Sequence, residues 1–143
     1  MSEVSSASPQ PLAACIQFGA DGKPFLQGFR CAQCGEVFVD HRRGCPKCAA
    51  VDSLRPKPLG DTGRLFSFTI VHRSFPHIKT PFVSVVVELA GGGYIKGNLE
   101  GVKPAPEEIR FNMPLRVQFD RIASRESGQP DLLRYYFVPQ EGV

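Results

Sequence analysis

Four of the five cysteines in this sequence form two Cys-x-x-Cys pairs, Cys31 with Cys34 and Cys45 with Cys48. Each short pair forms a tight turn in which the two sulfurs converge, so two pairs can supply four thiolates to one tetrahedral metal ion. Soft thiolates select zinc or iron, and a closed set of four leaves no position for a reactive water. The spacing therefore predicts a structural metal site, with one zinc per chain as the first choice. A mononuclear iron site and a pair of disulfides are the alternatives, although a reducing compartment disfavours disulfides.

The remaining candidates for catalysis do not form a recognisable pattern. Cys15 lies in the apolar run Ala-Cys-Ile-Gln-Phe, whereas a nucleophilic cysteine needs a positioned histidine and a helix N-terminus or basic neighbours. We therefore interpret Cys15 as a small buried hydrophobic residue. His41, His72 and His77 belong to no H-E-x-x-H motif, and no G-x-S-x-G or phosphate-binding G-x-x-x-x-G-K-[ST] motif occurs. We predict no catalytic residues and no catalytic centre within the chain, which leaves its status as an enzyme open.

Composition narrows the class of protein further. The 143 residues are 42% hydrophobic, enough for the core of one medium domain or two small ones. Seventeen Lys and Arg against fourteen Asp and Glu give a formal charge of +3, too small an excess to indicate a nucleic-acid partner. No stretch approaches the roughly 20 apolar residues that cross a bilayer, and no secretory signal is visible. We expect a cytoplasmic protein without a membrane partner.

The elements that must position the cysteines are short and strand-like. Residues 1–13 are rich in Ser and Pro and are expected to be disordered. Within residues 14–50, Asp21-Gly22 between two apolar runs predicts a hairpin that leads into a zinc ribbon. A ribbon of this size cannot bury enough surface by itself, so the metal would substitute for a core. Residues 51–60 carry spaced prolines without periodicity and are expected to form a linker.

The alternation of apolar and polar residues in 61–143 predicts a second, larger β-domain. Phe66, Phe68 and Ile70 should share one face of its first strand, the triple glycine at 91–93 should form a turn, and a short helix is expected at 106–110. Five strands with a helix between the third and fourth favour an OB-fold barrel over an SH3-like barrel or a sandwich fragment. The fold class is thus mostly β: a rubredoxin-like zinc ribbon followed by a five-stranded OB-fold. The expected strands span residues 64–73, 82–90, 94–99, 114–122 and 131–138.

Two motifs in succession carry a specific resemblance. A CxxCG…CPxC ribbon precedes Gly-Asp-Thr-Gly-Arg-Leu-Phe-Ser-Phe-Thr-Ile-Val-His-Arg, and Thr-Pro-Phe-Val-Ser-Val-Val-Val-Glu-Leu follows. Over residues 25–139 the chain resembles the zinc-ribbon and OB-fold acyl-CoA-associated proteins, a family first catalogued as a domain of unknown function. The resemblance implies that Cys31, Cys34, Cys45 and Cys48 are zinc ligands. Many members carry a helix before the ribbon, where this sequence predicts a hairpin.

The resemblance also implies a function. Members are small, non-catalytic partners of thiolase-fold enzymes, so the chain is expected to join a hetero-oligomer that performs thiolysis, acyl transfer or retro-aldol cleavage on acyl-CoA. Phe25, Phe29 and Phe38 give the ribbon an aromatic surface that suits such an interface. The alternative function is a module that binds single-stranded nucleic acid. Mixed outward charges, such as Arg116 beside Asp120, weaken that alternative.

The loop at residues 72–81 is the candidate ligand surface, because OB-folds often bind ligands between their first two strands. Its members Arg73, Phe75, His77 and Lys79 place cations beside an aromatic ring, which suits the phosphates and adenine of coenzyme A. The same residue types would also suit a single-stranded nucleic acid. The plainer alternative is a solvated loop whose Phe75 and neighbouring Ile78 pack into the barrel mouth or a protein interface.

Overall fold

Short alternating segments separated by Gly and Pro produce a structure built almost entirely of strands. The structure is a computed structural model that describes residues 9–124 and 128–140. No helix in those two ranges is long and apolar enough to cross a membrane. The strands of the described chain are β1 (Gln10–Pro11), β2 (Ile16–Phe18), β3 (Pro24–Cys31), β4 (Val37–Phe38), β5 (Leu54–Pro58), β6 (Thr62–Val71), β7 (Phe82–Leu89), β8 (Tyr94–Leu99), β9 (Pro114–Ile122) and β10 (Leu132–Pro139).

Strands β6 to β10 form the closed five-stranded OB-fold barrel that the sequence predicts. Antiparallel pairing joins β6 to β7, β7 to β8, β9 to β10, and β6 to β9. A parallel contact between Phe137 of β10 and Leu99 of β8 closes the barrel. The short helix expected at 106–110 is a 3-10 turn at Pro106–Glu108, and it lies between the third and fourth barrel strands as predicted. Two residues of this turn, Glu107 and Glu108, follow a proline that suits the start of a helical turn.

The barrel core follows the expected alternation in β7 but not throughout β6. Val83, Val85 and Val87 of β7 are all buried, as predicted. In β6 the side chain of Leu65 is buried, whereas that of Phe66 is 57% exposed, so the prediction that Phe66 shares one face with Phe68 and Ile70 is wrong. The register shifts between Leu65 and Ser67, which makes Phe66 the extra residue of a β-bulge. Because a bulge displaces the alternation by one residue, it turns Phe66 outward while Phe68 and Ile70 still pack against the core.

Residues 10–12, in the segment expected to be disordered, are hydrogen-bonded to the barrel strand β10. Residues 1–8 of that expectation lie outside the described residues, but β1 pairs in parallel with β10 through Gln10 and Leu132. The backbone N–H of Leu12 also donates to the carbonyl of Leu133 over 2.8 Å. This edge of β10 is available because β8 contacts β10 at Phe137, several residues further along. A composition rich in Ser and Pro cannot reveal such an opening in a distant sheet.

The ribbon forms a second sheet in which β3 pairs with β2, β4 and β5. The predicted hairpin joins β2 to β3, and Gly22 adopts a φ of 80° in its turn. Residues 51–60, expected to be a linker, contain β5, which pairs with β3 from Leu54 to Pro58. Prolines are tolerated here because β5 pairs with a single neighbour, and a strand with one free edge does not need every N–H.

The ribbon and barrel share one core. Ile16, Leu26 and Leu59 are buried in the same cluster as the barrel side chains. The predicted glycine turn between β7 and β8 lies against β4: a Cβ added at Gly92 would lie 3.0 Å from the Cβ of Val37, and Gly92 has a φ of 113°. A glycine is therefore required at this junction, both for its conformation and for the close approach of the ribbon.

Candidate metal centre and ligand loop

Each cysteine pair lies in a turn closed by backbone hydrogen bonds to and from its first cysteine. Cys31 ends β3, and its carbonyl accepts from the N–H of Gly35 over 2.9 Å. In the second turn the carbonyl of Cys45 accepts from the N–H of Ala49 over 2.8 Å. The residue that closes each turn has a positive φ, 82° at Gly35 and 69° at Ala49. The two turns are thus built alike and aim their sulfurs at a common point.

The four sulfurs have the spacing of a tetrahedral metal site. All four Sγ atoms lie within 4.8 Å of one another. The distance from Cys31 to Cys48 is 3.7 Å, and that from Cys34 to Cys45 is also 3.7 Å. A zinc ion bound at about 2.3 Å by four thiolates requires S···S distances of about 3.8 Å. The clustering predicted from the sequence is therefore confirmed, and the four sulfurs lie close enough together to hold a metal ion.

The thiols differ in how readily they ionise. The Ser53 hydroxyl, 3.1 Å from Cys31 Sγ, is the main cause that lowers the pKa of Cys31 to about 6. The pKa of Cys48 is raised to about 11, because burial and the three neighbouring sulfurs outweigh the backbone N–H of Ala50, which lowers it. Four adjacent thiolates repel one another, so full ionisation needs a cation among them. This donor set suits a metal ion.

The ribbon has a small core of its own around the sulfurs. Cys31, Cys45 and Leu54 are buried together, and Phe29 and Phe38 pack against them. His41 is exposed and lies edge to face on Phe29, with 5.0 Å between ring centroids. These two phenylalanines are half-buried in the isolated chain, so their role in an interface stays a prediction.

The third phenylalanine of the predicted interface lies elsewhere. Phe25 lines a groove of about 450 Å³ between the ribbon and the barrel, together with Val117 and Phe119 of β9.

Cys15 is half-buried against the barrel core, and burial raises the pKa of its thiol. A thiol with a raised pKa suits the packing role predicted for it and not nucleophilic chemistry.

All four residues of the loop at 72–81 that were predicted to contact a ligand are exposed to solvent. These residues are Arg73, Phe75, His77 and Lys79, and Phe75 is 70% exposed. The Phe75 ring stacks on His77 with 6.0 Å between centroids and 15° between planes. Phe75 thus does not pack into the barrel mouth, while the other form of the plainer alternative, packing in a protein interface, stays a prediction. Ile78 is less exposed, at 38%.

A groove runs beside this loop. It has a volume of about 420 Å³, and Ile78 and Lys79 line it from the loop while Leu99 and Val102 line it from the far side. Of the four predicted contact residues, Lys79 belongs to this lining. Sequence reasoning missed the groove because it depends on the register in which β8 pairs with β7, which places Leu99 opposite Val83 beside the loop. It also missed Ser53, since a lone serine beside a proline-rich segment carries no signal.

Comparisons with known proteins agree with this architecture. The family described as "ChsH2, C-terminal OB-fold domain" matches residues 56–120. A DUF35 domain-containing scaffold protein of Methanocaldococcus jannaschii is 30% identical over 113 residues, 77% of each chain. The benzoylsuccinyl-CoA thiolase subunit BbsA of Thauera aromatica is 29% identical over 123 residues, 85% of this chain and 82% of the relative.

A solved structure gives the same result in three dimensions. The Ltp2-ChsH2(DUF35) aldolase matches with a TM-score of 0.60 and 28% identity, over 80% of this chain and 84% of the matched chain. The relatives and this structure extend across the ribbon and barrel together. With its cysteine-bearing ribbon joined to an OB-fold barrel, the chain belongs to the DUF35 family of scaffold and enzyme-subunit proteins.

Proposed function

We propose that this chain is a non-catalytic, zinc-binding subunit of a thiolase-type acyl-CoA acyltransferase or aldolase complex. It would serve the assembly or activity of a separate catalytic subunit of thiolase fold. The observation that carries the proposal is the relative BbsA, a benzoylsuccinyl-CoA thiolase subunit that this chain matches over 82% of its length. The similar aldolase structure, which also contains a DUF35 chain, supports the same role.

In this proposal the metal is structural. Cys31, Cys34, Cys45 and Cys48 would hold one zinc ion, supported by S···S distances of 3.7 Å. Zinc cross-links the two turns when bound, and with four sulfur ligands it has no position for substrate. The chain's own contribution is then a rigid ribbon on the barrel. A cytoplasmic location belongs to the proposal, because a reducing compartment keeps the four thiols available.

The chain would also touch the acyl-CoA through the loop at residues 72–81. Arg73, His77 and Lys79 supply positive charge or donors for phosphates, and the exposed face of Phe75 suits stacking on adenine. Lys79 at the edge of the groove supports this orientation. The reacting thioester would lie in the catalytic partner, while the loop orients the nucleotide end of the ligand.

Reconstitution with the catalytic subunit tests the proposal. The chain is purified alone, a thiolase-fold protein that co-purifies with it from its own cells is purified alone, and the two are combined. We expect acyl-CoA turnover from the mixture and little or none from this chain by itself. Turnover by this chain alone, or full activity of the partner without it, would refute a helper role.

Substitution in the loop tests the acyl-CoA contact separately. We expect Arg73→Ala with Lys79→Ala to raise KM for acyl-CoA about 5–30-fold, because each of the two exposed phosphate contacts contributes about 0.5–1 kcal/mol. The effect should shrink at high salt. Lys23→Ala, at the exposed hairpin turn, is the matched control and should leave KM unchanged. An unchanged KM in the double variant would remove the loop from the ligand site while leaving the subunit role intact.

A further inference from the structure

Ser53 is a buried polar residue, and a buried hydroxyl is costly unless it has a hydrogen-bond partner. It is 5% exposed, and within residues 9–124 and 128–140 it is the one polar residue in the fully buried class. Its Oγ lies 3.1 Å from Cys31 Sγ. Its carbonyl accepts a hydrogen bond from the N–H of Ala32 over 2.8 Å, which fixes its backbone against the first cysteine turn. The side chain of Ser53 therefore contacts Cys31, and its backbone is bonded to the next residue, Ala32.

The direction of the side-chain hydrogen bond follows from the chemistry of a metal-bound thiolate. A thiolate accepts hydrogen bonds and cannot donate, so the Ser53 hydroxyl must be the donor. Cys31 is fully buried, with 0% exposure, so water cannot replace that donor. The situation differs for Cys34 and Cys48, which are exposed to solvent. Cys45, the other buried ligand, instead faces the backbone N–H of Lys47 at 3.4 Å.

We propose that Ser53 is a positioning residue of the metal centre, whose hydroxyl orients Cys31 Sγ and makes strand β5 part of the site. The inference rests on the proposed metal centre. Ser53 immediately precedes β5, where Leu54 pairs with Cys31 across the sheet. Leu59, the residue directly after β5, is buried in the core shared with the barrel. The hydrogen bond therefore joins the metal centre to the segment that connects ribbon and barrel.

Two measurable properties follow from a hydrogen bond to a ligating sulfur. Groups that orient metal ligands typically raise metal affinity about 10–100-fold, so Ser53→Ala should weaken zinc binding by a factor in that range. The hydrogen bond also stabilises the sulfur lone pairs. In the Co²⁺-substituted protein, its loss should move the sulfur-to-cobalt charge-transfer band to longer wavelength. The visible bands of tetrahedral cobalt should remain, because the four ligands are unchanged.

The experiment uses the full chain loaded with Co²⁺, with zinc affinity measured by chelator competition. Ser53→Ala is compared with wild type, with Ser53→Thr, which keeps the hydroxyl, and with Ser84→Ala, a half-buried barrel serine on β7. We expect weaker binding and the shifted band in Ser53→Ala, and wild-type behaviour in the other two.

Zinc affinity within about twofold of wild type and an unmoved band in Ser53→Ala would overturn the proposal. If Ser53→Ala does not fold, Ser53→Thr decides: a wild-type band supports the role of the hydroxyl, and a shifted band overturns it. Failure of the wild-type chain to bind either metal would refute the proposed metal centre itself, and is thus distinguishable from failure of the Ser53 inference.

Discussion

Removal of the metal that we propose at the four cysteines should unfold the second cysteine turn while the barrel remains folded. The second turn, residues 40–52, has Cys45 as its one buried residue. The barrel instead has a continuous core of buried side chains that includes Leu65, Val87 and Phe137. We therefore expect Cys45→Ser, or chelation of the metal, to act on this turn selectively.

The expected loss of local stability follows from the apolar surface that each segment buries. Fixing the backbone of one residue costs about 1–2 kcal/mol. Burial of one leucine-sized side chain contributes about 2 kcal/mol, and the second turn buries no apolar side chain apart from its ligand cysteine. A structural zinc site contributes about 10–16 kcal/mol. Without the metal, nothing of comparable size opposes the entropy of this turn, so its local stability should fall close to zero.

Amide hydrogen exchange reports the effect at named positions. The N–H groups of Cys45, Ala49 and Asp52 are hydrogen-bonded within the turn, whereas that of Val117 is bonded in the barrel. We expect exchange at the first three to accelerate at least about 100-fold, equivalent to about 2.7 kcal/mol of lost local stability. Exchange at Val117 should change little.

Cys15→Ser is the matched control, because Cys15 lies outside the sulfur cluster. It should lose a modest amount of barrel stability and keep the protection of the second turn. Unchanged protection of Ala49 after verified metal removal would refute the argument that the metal replaces a core in this part of the ribbon.

Three further predictions concern the barrel and its junction with the ribbon. Leu59→Ala should lower the free energy of urea unfolding by about 2–4 kcal/mol and loosen both modules together, because Leu59 is buried in their shared core. Separate transitions with only one displaced would contradict this. Arg134→Ala should lower the free energy of urea unfolding by about 1 kcal/mol, because its guanidinium lies 2.8 Å from the Glu100 carboxylate and both groups are partly exposed. A double-mutant cycle with Glu100→Gln should show coupling between the two residues. Tyr135 donates to the carbonyl of Lys96, and burial raises its pKa to about 12 from an ordinary value of about 10. Its contribution should be complete below pH 10 and lost as the pH rises toward 12, because the folded state holds the proton more tightly. Tyr135→Phe should weaken this dependence in alkaline unfolding experiments, and an identical pH profile would contradict the assignment.

Local patterns determine the parts of this protein that can be predicted from the sequence. The spacing of Cys31, Cys34, Cys45 and Cys48 is itself a geometric constraint, because two residues between cysteines force their sulfurs together. Alternation places Val83, Val85 and their neighbours in the core because a strand has a period of two. The order of strands and the turn at 106–110 are sufficient for the OB-fold.

The remaining features depend on contacts between residues that are distant in sequence. Phe66 faces outward because of a bulge that is defined by pairing with β7, whereas in the sequence Phe66 simply continues the alternation of Phe68 and Ile70. Residues 54–58 become a strand only because β3 offers them an edge, and β1 exists because β8 and β10 diverge. The same pairing carries Ser53 to Cys31. Composition and the spacing of apolar residues indicate which secondary structure a segment can form. The strand that accepts and donates its hydrogen bonds is decided only when the chain folds.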